Sequence, residues 1–186
     1  MSFALKMRSI LLFTIASISW LNLSAQSWDV SSATVGFKIK NAGLPVNGTV
    51  GGLVANIDFD PKNPSAARIE ASVNAKSIDT GIGLRNRHLQ KEDYFWGEKY
   101  PKITLKSTKV VSNGANNFIG TFALTIKAVT RNVEIPFTFS ETNGNGQLQG
   151  SFEINRKDYT VGGNSWTMGD NVTINLAVSL AKAVAK

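Results

Sequence analysis

The sequence predicts an all-β protein in which roughly eight antiparallel strands form a closed barrel or a sandwich. Apolar residues recur at every second position in most segments, which is typical of strands with one buried face. Asn-Gly and other glycine-rich turn signals separate these segments, at intervals too short for the helical crossovers of parallel strands. A barrel has no exposed sheet edge, which favours closure over an open sheet.

The predicted strands follow one another along the chain. Val35, Phe37 and Ile39 form the first apolar face. The later alternating segments cover residues 69–76, 103–106, 118–126, 133–140, 147–154 and 172–180. Turn signals include Asn47-Gly48, Asn113-Gly114 and Asn143-Gly144. Residues 81–101 do not alternate, and we expect a short helical segment near residues 84–96.

The first 25 residues are predicted to be a cleaved signal peptide. Lys6 and Arg8 precede a mostly apolar stretch that is too short to span a bilayer, and Ser24-Ala25 offers a cleavage site. We therefore expect one domain over residues 26–186, in the periplasm or outside the cell.

The composition excludes several kinds of site. The chain has no Cys and one His, which excludes disulfides, Cys-ligated zinc and multi-His metal centres. No Gly-x-Ser-x-Gly motif accompanies that His, so we expect neither catalytic residues nor a cofactor. The net charge is +7, but the cations are scattered and the chain is predicted to be exported. We therefore expect no nucleic acid partner. The charge serves either attraction to anionic lipid surfaces or solubility alone.

The inward apolar face predicts either a filled core or a ligand cavity. Small residues such as Ala71, Ala75, Gly120 and Gly150 favour a cavity, although neighbouring Phe rings could fill the space. A cavity lined in this way would admit an apolar chain, because unpaired polar groups are costly there. The predicted lumen residues are Phe37, Ile39, Ala71, Val73, Ile103, Leu105, Gly120, Phe122, Leu124, Phe137 and Phe152.

Several short stretches, in order along the chain, resemble the YceI-like family. They include Trp28-Asp29-Val30, Val35–Ile39, Ile57–Asp60, Ser77–Gly81, Arg85–Leu89, Asp93–Phe95, Lys99–Thr104, Leu124–Thr130 and Ile154–Tyr159. The resemblance implies a single eight-stranded lipocalin-like β-barrel, usually exported, that binds polyisoprenoids or other long-chain amphiphiles and is not known for catalysis. Ser32-Ala33 departs from the His-Ser pair that is common in the family, so a head-group contact made by that His would be absent here.

Residues 81–101 carry the predicted head-group site at the barrel mouth. Arg85, Arg87 and His88 are predicted to face a phosphate or carboxylate, which guanidinium groups bind in bidentate fashion. Tyr94 and Trp96 are predicted to gate the lumen or to rest on a membrane surface.

Structural roles for the same residues stay open. His88 could instead hydrogen-bond Asp79 or Asp93, and the aromatic residues could plug one end of the barrel. We expect an ion pair between Asp79 and Arg85 that pins the irregular segment, and an exposed turn charge at Arg156.

Two functions are consistent with these patterns. The first is an exported carrier for a polyisoprenoid, such as a quinone or polyprenyl phosphate, or for a fatty acyl lipid. The alternative is a ligand-free stress-response or protein-interaction barrel that acts through its surface. The sequence does not distinguish a monomer from a homodimer.

Overall fold

The computed structural model describes residues 26–183, and the predicted signal peptide lies outside them. Within these residues there are nine β-strand segments, one α-helix and three short 3-10 helices. The strands are β1 (Ser27–Asn41), β2 (Leu44–Val50), β3 (Val54–Asp58), β4 (Arg68–Asn74), β5 (Lys102–Ser112), β6 (Asn117–Ile126), β7 (Val129–Thr142), β8 (Asn145–Asn155) and β9 (Met168–Lys182). The helix α1 covers Gly83–Leu89, and the 3-10 helices cover Pro64–Ala66, Ala75–Ser77 and Arg156–Tyr159.

The nine segments close into an eight-stranded antiparallel barrel. Strands β3 to β9 pair in sequence order, and β9 then pairs with β1 along almost its whole length. On its other edge, β1 pairs with β2 and, at its first residues, with β3. Because β2 and β3 lie end to end beside β1, they occupy one strand position. The predicted fold class is therefore confirmed.

A break in the wall separates β2 from β3. At this point β2 has no strand neighbour on its outer edge, and the segment after β4 takes that place. Thr49 and Asp79 exchange two backbone hydrogen bonds of 2.8 and 2.9 Å, and the Asn74 N–H donates to the Gly51 carbonyl at 3.0 Å. These three bonds close the barrel where regular strand pairing stops.

Two local predictions differ from the structure. The Asn47-Gly48 pair lies inside β2 rather than in a turn, because Gly48 faces Phe37 across the sheet. A Cβ atom on Gly48 would lie 2.3 Å from the Phe37 ring, so the glycine makes room for that ring. The chain turns instead at Ala42 and Gly43, both of which have positive φ.

The helical segment is shorter than predicted. The α-helix ends at Leu89, and residues 90–100 form successive turns. The Lys91 carbonyl accepts from both Tyr94 and Trp96, and Trp96 has a φ of 47°, which a continuing right-handed helix excludes.

The two ends of the barrel differ in the length of their connections. The mouth is the end formed by residues 42–43, 75–101, 127–128 and 156–167. The opposite end, here called the packed end, contains residues 59–67, 113–116 and 143–144 together with both ends of the described chain.

Aromatic side chains fill the packed end. Phe59 is completely buried and makes edge-to-face contacts with Phe118, Phe137 and Phe139 at centroid distances of 5.0, 5.8 and 5.0 Å. The Trp28 ring meets Phe139 at 5.2 Å, and its Nε1–H donates to the Phe59 carbonyl at 2.9 Å. This end of the interior is therefore closed to a guest.

Candidate functional site

A cavity of about 270 Å³ occupies the barrel interior between the packed end and the mouth. All nine strand segments contribute to its wall. Its lower boundary includes Ile57, Phe137 and Val178, which also belong to the core of the packed end. At the mouth, Leu89, Tyr94 and other residues of the long connections line it. The interior therefore combines a filled core with an open chamber.

The cavity wall is almost entirely apolar. Its apolar lining residues include Val35, Phe37, Ile39, Val46, Val50, Leu53, Ala55, Ala71, Val73, Ile103, Leu105, Phe122, Leu124, Phe152, Ile174 and Leu176. Most polar lining residues lie at the mouth, namely Asn41, Thr80, Arg85, Tyr94 and Arg156. The other two, Ser72 and Thr104, lie in β4 and β5. Such an arrangement suits a ligand with an apolar chain and a polar end.

Ten of the eleven predicted lumen residues lie on this wall, and Gly120 does not. A Cβ atom on Gly120 would lie 2.2 Å from the Phe122 ring, which covers the glycine. Gly120 therefore makes room for the Phe122 ring and does not add to the cavity volume. The expectation that Gly120 lines the lumen is wrong. Ligand contact by the other ten residues stays a prediction.

The sequence interpretation missed the part of the wall contributed by β2, β3 and the residues between them. Val46, Val50, Leu53 and Ala55 line the cavity. Val46 and Val50 alternate on either side of Gly48, and this period-two signal was present in the sequence. The Asn47-Gly48 pair concealed it, because Asn-Gly usually indicates a hairpin turn.

Arg85 is a predicted mouth residue that lines the cavity, and only part of its guanidinium is engaged in hydrogen bonds. Its Nε–H donates to the Thr80 hydroxyl at 2.8 Å, and one Nη2–H donates to the Thr80 carbonyl at 2.7 Å. Within residues 26–183, its other three N–H groups have no hydrogen-bond acceptor and no carboxylate lies within 4.0 Å. The half-buried guanidinium can therefore hold an anionic group at the cavity entrance.

The predicted ion pair between Asp79 and Arg85 is wrong. Asp79 Oδ1 accepts instead from the Gly81 N–H at 2.8 Å and from Asn86 Nδ2 at 2.7 Å. The Gly81 backbone donor, helped by the Asn86 side chain, holds the pKa of the Asp79 carboxyl below its usual range. Asn86 Oδ1 in turn accepts from the N–H and hydroxyl of Thr80. This network fixes the start of α1 and leaves Arg85 without an acidic partner among the described residues.

The other predicted mouth residues are placed differently. Tyr94 lines the cavity and meets the ring of His88 edge to face at 5.4 Å, but His88 itself faces a shallow outer groove with Glu92 and Lys127. Arg87 is exposed and lies outside the cavity wall.

Trp96 also lies outside the cavity wall. Its ring packs against Tyr100 at 5.9 Å, and Lys99 Nζ lies 4.2 Å above it. Tyr94 and Trp96, which the sequence analysis places together at the mouth, are therefore separated in the structure. Tyr94 and Phe95 face the lumen, whereas Trp96 and Tyr100 form a separate pair.

Arg156 is buried, with 3% of its surface exposed, and is not the exposed turn charge that we expected. Its five N–H groups all have acceptors. Four bonds go to backbone carbonyls within residues 161–169, at 2.7 to 3.2 Å, and one goes to Asp170 Oδ1 at 3.0 Å. A hydrogen bond from Lys157, with the charge of Arg156 nearby, lowers the pKa of Asp170. Arg156 thus shapes the mouth but keeps no donor for a ligand.

Two further kinds of feature are absent from residues 26–183. No group of three or more His, Asp or Glu side chains there could hold a metal ion. No helix in the same part of the chain is long and apolar enough to cross a membrane.

Comparison with known proteins places this geometry in a family. Residues 27–180 match the YceI-like domain. A protein YceI from Escherichia coli is 33% identical over 135 residues, which are 69% of this chain and 70% of the relative. A UPF0312 protein from Photorhabdus laumondii is 33% identical over 102 residues, 54% of this chain. The chain spans 53% of that relative's length and a similar share of its Pseudomonas aeruginosa counterparts.

Solved structures show the same barrel. BcnA from Burkholderia cenocepacia superposes with a TM-score of 0.77 at 25% identity, over 81% of this chain and 99% of BcnA. A polyisoprenoid binding domain from Saccharophagus degradans superposes with a TM-score of 0.67 at 13% identity, over 86% of this chain and 99% of that domain. The second likeness concerns the fold alone. On the match to the domain and to the Escherichia coli relative, the chain belongs to the YceI-like family.

Proposed function

We propose that this protein is an exported, non-catalytic carrier that encloses the apolar chain of a long amphiphile in its barrel. The ligand class is a polyisoprenoid, such as a quinone or polyprenyl phosphate, or a fatty acyl lipid. The observation that carries the proposal is the apolar wall of the 270 Å³ cavity, with five of its seven polar lining residues at the mouth.

The physical chemistry of the wall favours a hydrocarbon chain. Water inside the cavity would find few hydrogen-bond partners, because most polar lining residues lie at one end. Each methylene that moves from water into such a wall contributes about 0.8 kcal/mol. The volume is close to the lower end of small-molecule pockets, about 300 Å³. The ligand's chain would occupy the chamber while its polar end stays at the mouth.

Two other observations support the proposal. The Saccharophagus degradans domain with the same fold is described as polyisoprenoid binding. The first 25 residues have the pattern of a signal peptide, which supports a periplasmic or secreted location. Lipids of the cell envelope would be available there.

Filling the chamber is the direct test. Ala71 lies on the cavity wall in β4, so Ala71→Trp would place an indole where the chain should lie. Ala177→Trp is the matched control, because Ala177 is exposed and absent from the cavity lining. Binding of a fluorescent fatty acid and of a polyprenyl phosphate should fall at least about tenfold in Ala71→Trp only, equivalent to a loss of two or more buried methylenes.

Mass spectrometry of the protein purified natively from its own cells identifies the ligand. A stoichiometric lipid in the organic extract supports the carrier function. Uptake that is unchanged in a folded Ala71→Trp variant contradicts it. A wild-type protein that takes up none of the probes also contradicts it, and favours the ligand-free barrel that acts through its surface.

A further inference from the structure

Four exposed apolar side chains lie at the mouth. Leu44 is 70% exposed and Leu84 is 69% exposed, and Ile82 and Trp166 are exposed as well. We call these four residues the apolar rim. Among residues 26–183, two other large apolar side chains are exposed, Val54 and Val111. Both of those lie within strands of the wall, so the mouth carries most of the exposed apolar surface of this kind.

The structure brings the parts of the rim to the cavity entrance. The Ala42 N–H donates to the Thr167 carbonyl at 2.7 Å, which joins the β1–β2 turn beside Leu44 to the loop that carries Trp166. Ile82 and Leu84 flank the start of α1, and the same helix places Arg85 and Leu89 on the cavity wall. The rim therefore belongs to the connections through which a ligand would enter.

Positive charges outnumber negative charges at the mouth. Its connections, residues 75–101, 127–128 and 156–167, contain eight Lys and Arg side chains and five Asp and Glu side chains. Residues 41–50, 80–90 and 160–169, which carry the rim, contain no Asp or Glu. Arg85 and Arg87 lie in the second segment, and Lys40 directly precedes the first. Two of the nearby acidic residues are engaged, because Asp79 accepts from Gly81 and Asn86 and Asp170 pairs with Lys157 and Arg156. Glu92 and Asp93 lie in the outer groove beside His88.

We infer that the apolar rim docks the barrel, mouth first, onto an anionic phospholipid bilayer. Exposed Leu, Ile and Trp side chains at one end of the barrel favour shallow insertion at the headgroup boundary, where Trp is preferentially found. The rim cations face a negative surface potential, which adds attraction for each Lys or Arg near the surface. The biological use of this docking rests on the proposed carrier function, because mouth-first docking brings the cavity to a source of amphiphiles.

A bilayer fits these observations better than a protein partner. The rim side chains come from three separate parts of the chain around an opening, whereas the core of a protein interface is a contiguous, closely packed patch. Interfacial insertion needs no such shape complementarity, because acyl chains and headgroups adapt to each side chain.

The test measures co-sedimentation with vesicles of phosphatidylcholine containing roughly one-third phosphatidylglycerol, and with pure phosphatidylcholine as reference. The rim variant is Trp166→Ser combined with Leu84→Ser. The matched control is Val54→Ser combined with Val111→Ser, which removes exposed apolar side chains away from the mouth. We expect vesicle partitioning to fall about tenfold or more in the rim variant and to change less than about twofold in the control.

Two readouts separate docking from ligand binding. Uptake of a soluble fluorescent fatty acid should be unchanged in the rim variant, whereas Ala71→Trp should lose uptake and keep vesicle binding. Wild-type protein that stays in the supernatant, or equal partitioning of the rim and control variants, overturns the inference even if the cavity binds lipid. A wild-type dimer that the rim variant converts to monomer also overturns it, because a second copy would then be the partner.

Discussion

The packed end and the cavity half of this barrel are built from the same alternating pattern, but they leave different amounts of space. At the packed end, Phe118 and Phe137 are cross-strand neighbours whose rings stack at 5.4 Å, and Phe59 closes over them. In the cavity half, Phe37 is opposite Gly48 and lies over it. Aromatic rings that meet one another fill the interior, whereas a ring that meets a glycine lies against the wall and leaves the centre open.

The strands also differ in how deeply their inward side chains are buried. The inward side chains of β6 are buried along its whole length, from Phe118 to Ile126. Phe37 and Ile39 of β1 are only half-buried, although Phe122 and Leu124 of β6 line the same cavity and are buried. A ligand in the cavity would therefore cover more exposed side-chain surface on β1 than on β6.

The largest expected effect is the loss of stability when a Phe ring is removed from the packed end, compared with the same change in the cavity half. Phe59→Ala should lower the free energy of unfolding by about 3–5 kcal/mol, because it empties a completely buried site among three other rings. Phe37→Ala should cost less than about 2 kcal/mol, because part of that ring already faces open space. Urea unfolding of both variants measures the difference. Equal losses would mean that the cavity half is as tightly packed as the other end.

An intermediate effect is expected at the cavity entrance. Arg85→Gln removes a guanidinium with three uncommitted N–H groups and should weaken binding of a fatty acid by about 10- to 100-fold, the usual value of a hydrogen-bonded charge. Binding of the corresponding fatty alcohol should change little. Isothermal titration with both ligands measures this selectivity.

Arg87→Gln is the matched control for Arg85, because Arg87 is exposed on the same helix but lies outside the cavity wall. If the two variants weaken fatty acid binding equally, general electrostatic attraction, and not a head-group contact by Arg85, explains the effect.

The smallest effect concerns acid stability at the mouth. The pKa of Asp79 is lower in the folded protein than its usual value of about 3.8, chiefly because of the Gly81 N–H. Its contribution to stability is therefore present above that value and is lost as the pH falls through the lower, folded-state pKa. In Asp79→Asn, which cannot titrate, the urea midpoint should fall less steeply with acid than in the wild type. Parallel curves for the two proteins would show that Asp79 contributes nothing to acid sensitivity.

Much of the barrel could be predicted from the sequence because alternation is a local signal. Each strand from β4 to β9 overlaps a segment in which apolar residues recur at every second position. Strand β2 was missed because Asn47-Gly48 is a turn signal by its local chemistry. Its place in a strand depends on Phe37, a residue of another strand, whose ring needs the space above Gly48.

The candidate site could be predicted only in part. Alternation identified inward-facing side chains, and ten of the eleven residues predicted for the lumen lie on the cavity wall. It could not show that the Phe122 ring covers Gly120, because the direction of a ring is decided by packing. Nor could it show that Arg156 is buried, since its acceptors are carbonyls of a loop that folds back over it.

The pairing of β1 with β9 has a consequence for how the chain folds. Trp28 lies opposite Lys182, and the Ala183 N–H donates to the Ser27 carbonyl at 3.0 Å, so partners roughly 150 residues apart close the barrel. Contacts of such sequence separation are slow to form, and the first strand has no partner along this edge until the last one is available. We expect the long edge of β1 to be the most aggregation-prone surface of the folding intermediate. A chaperone that shields one segment of this protein during folding would have its greatest effect there.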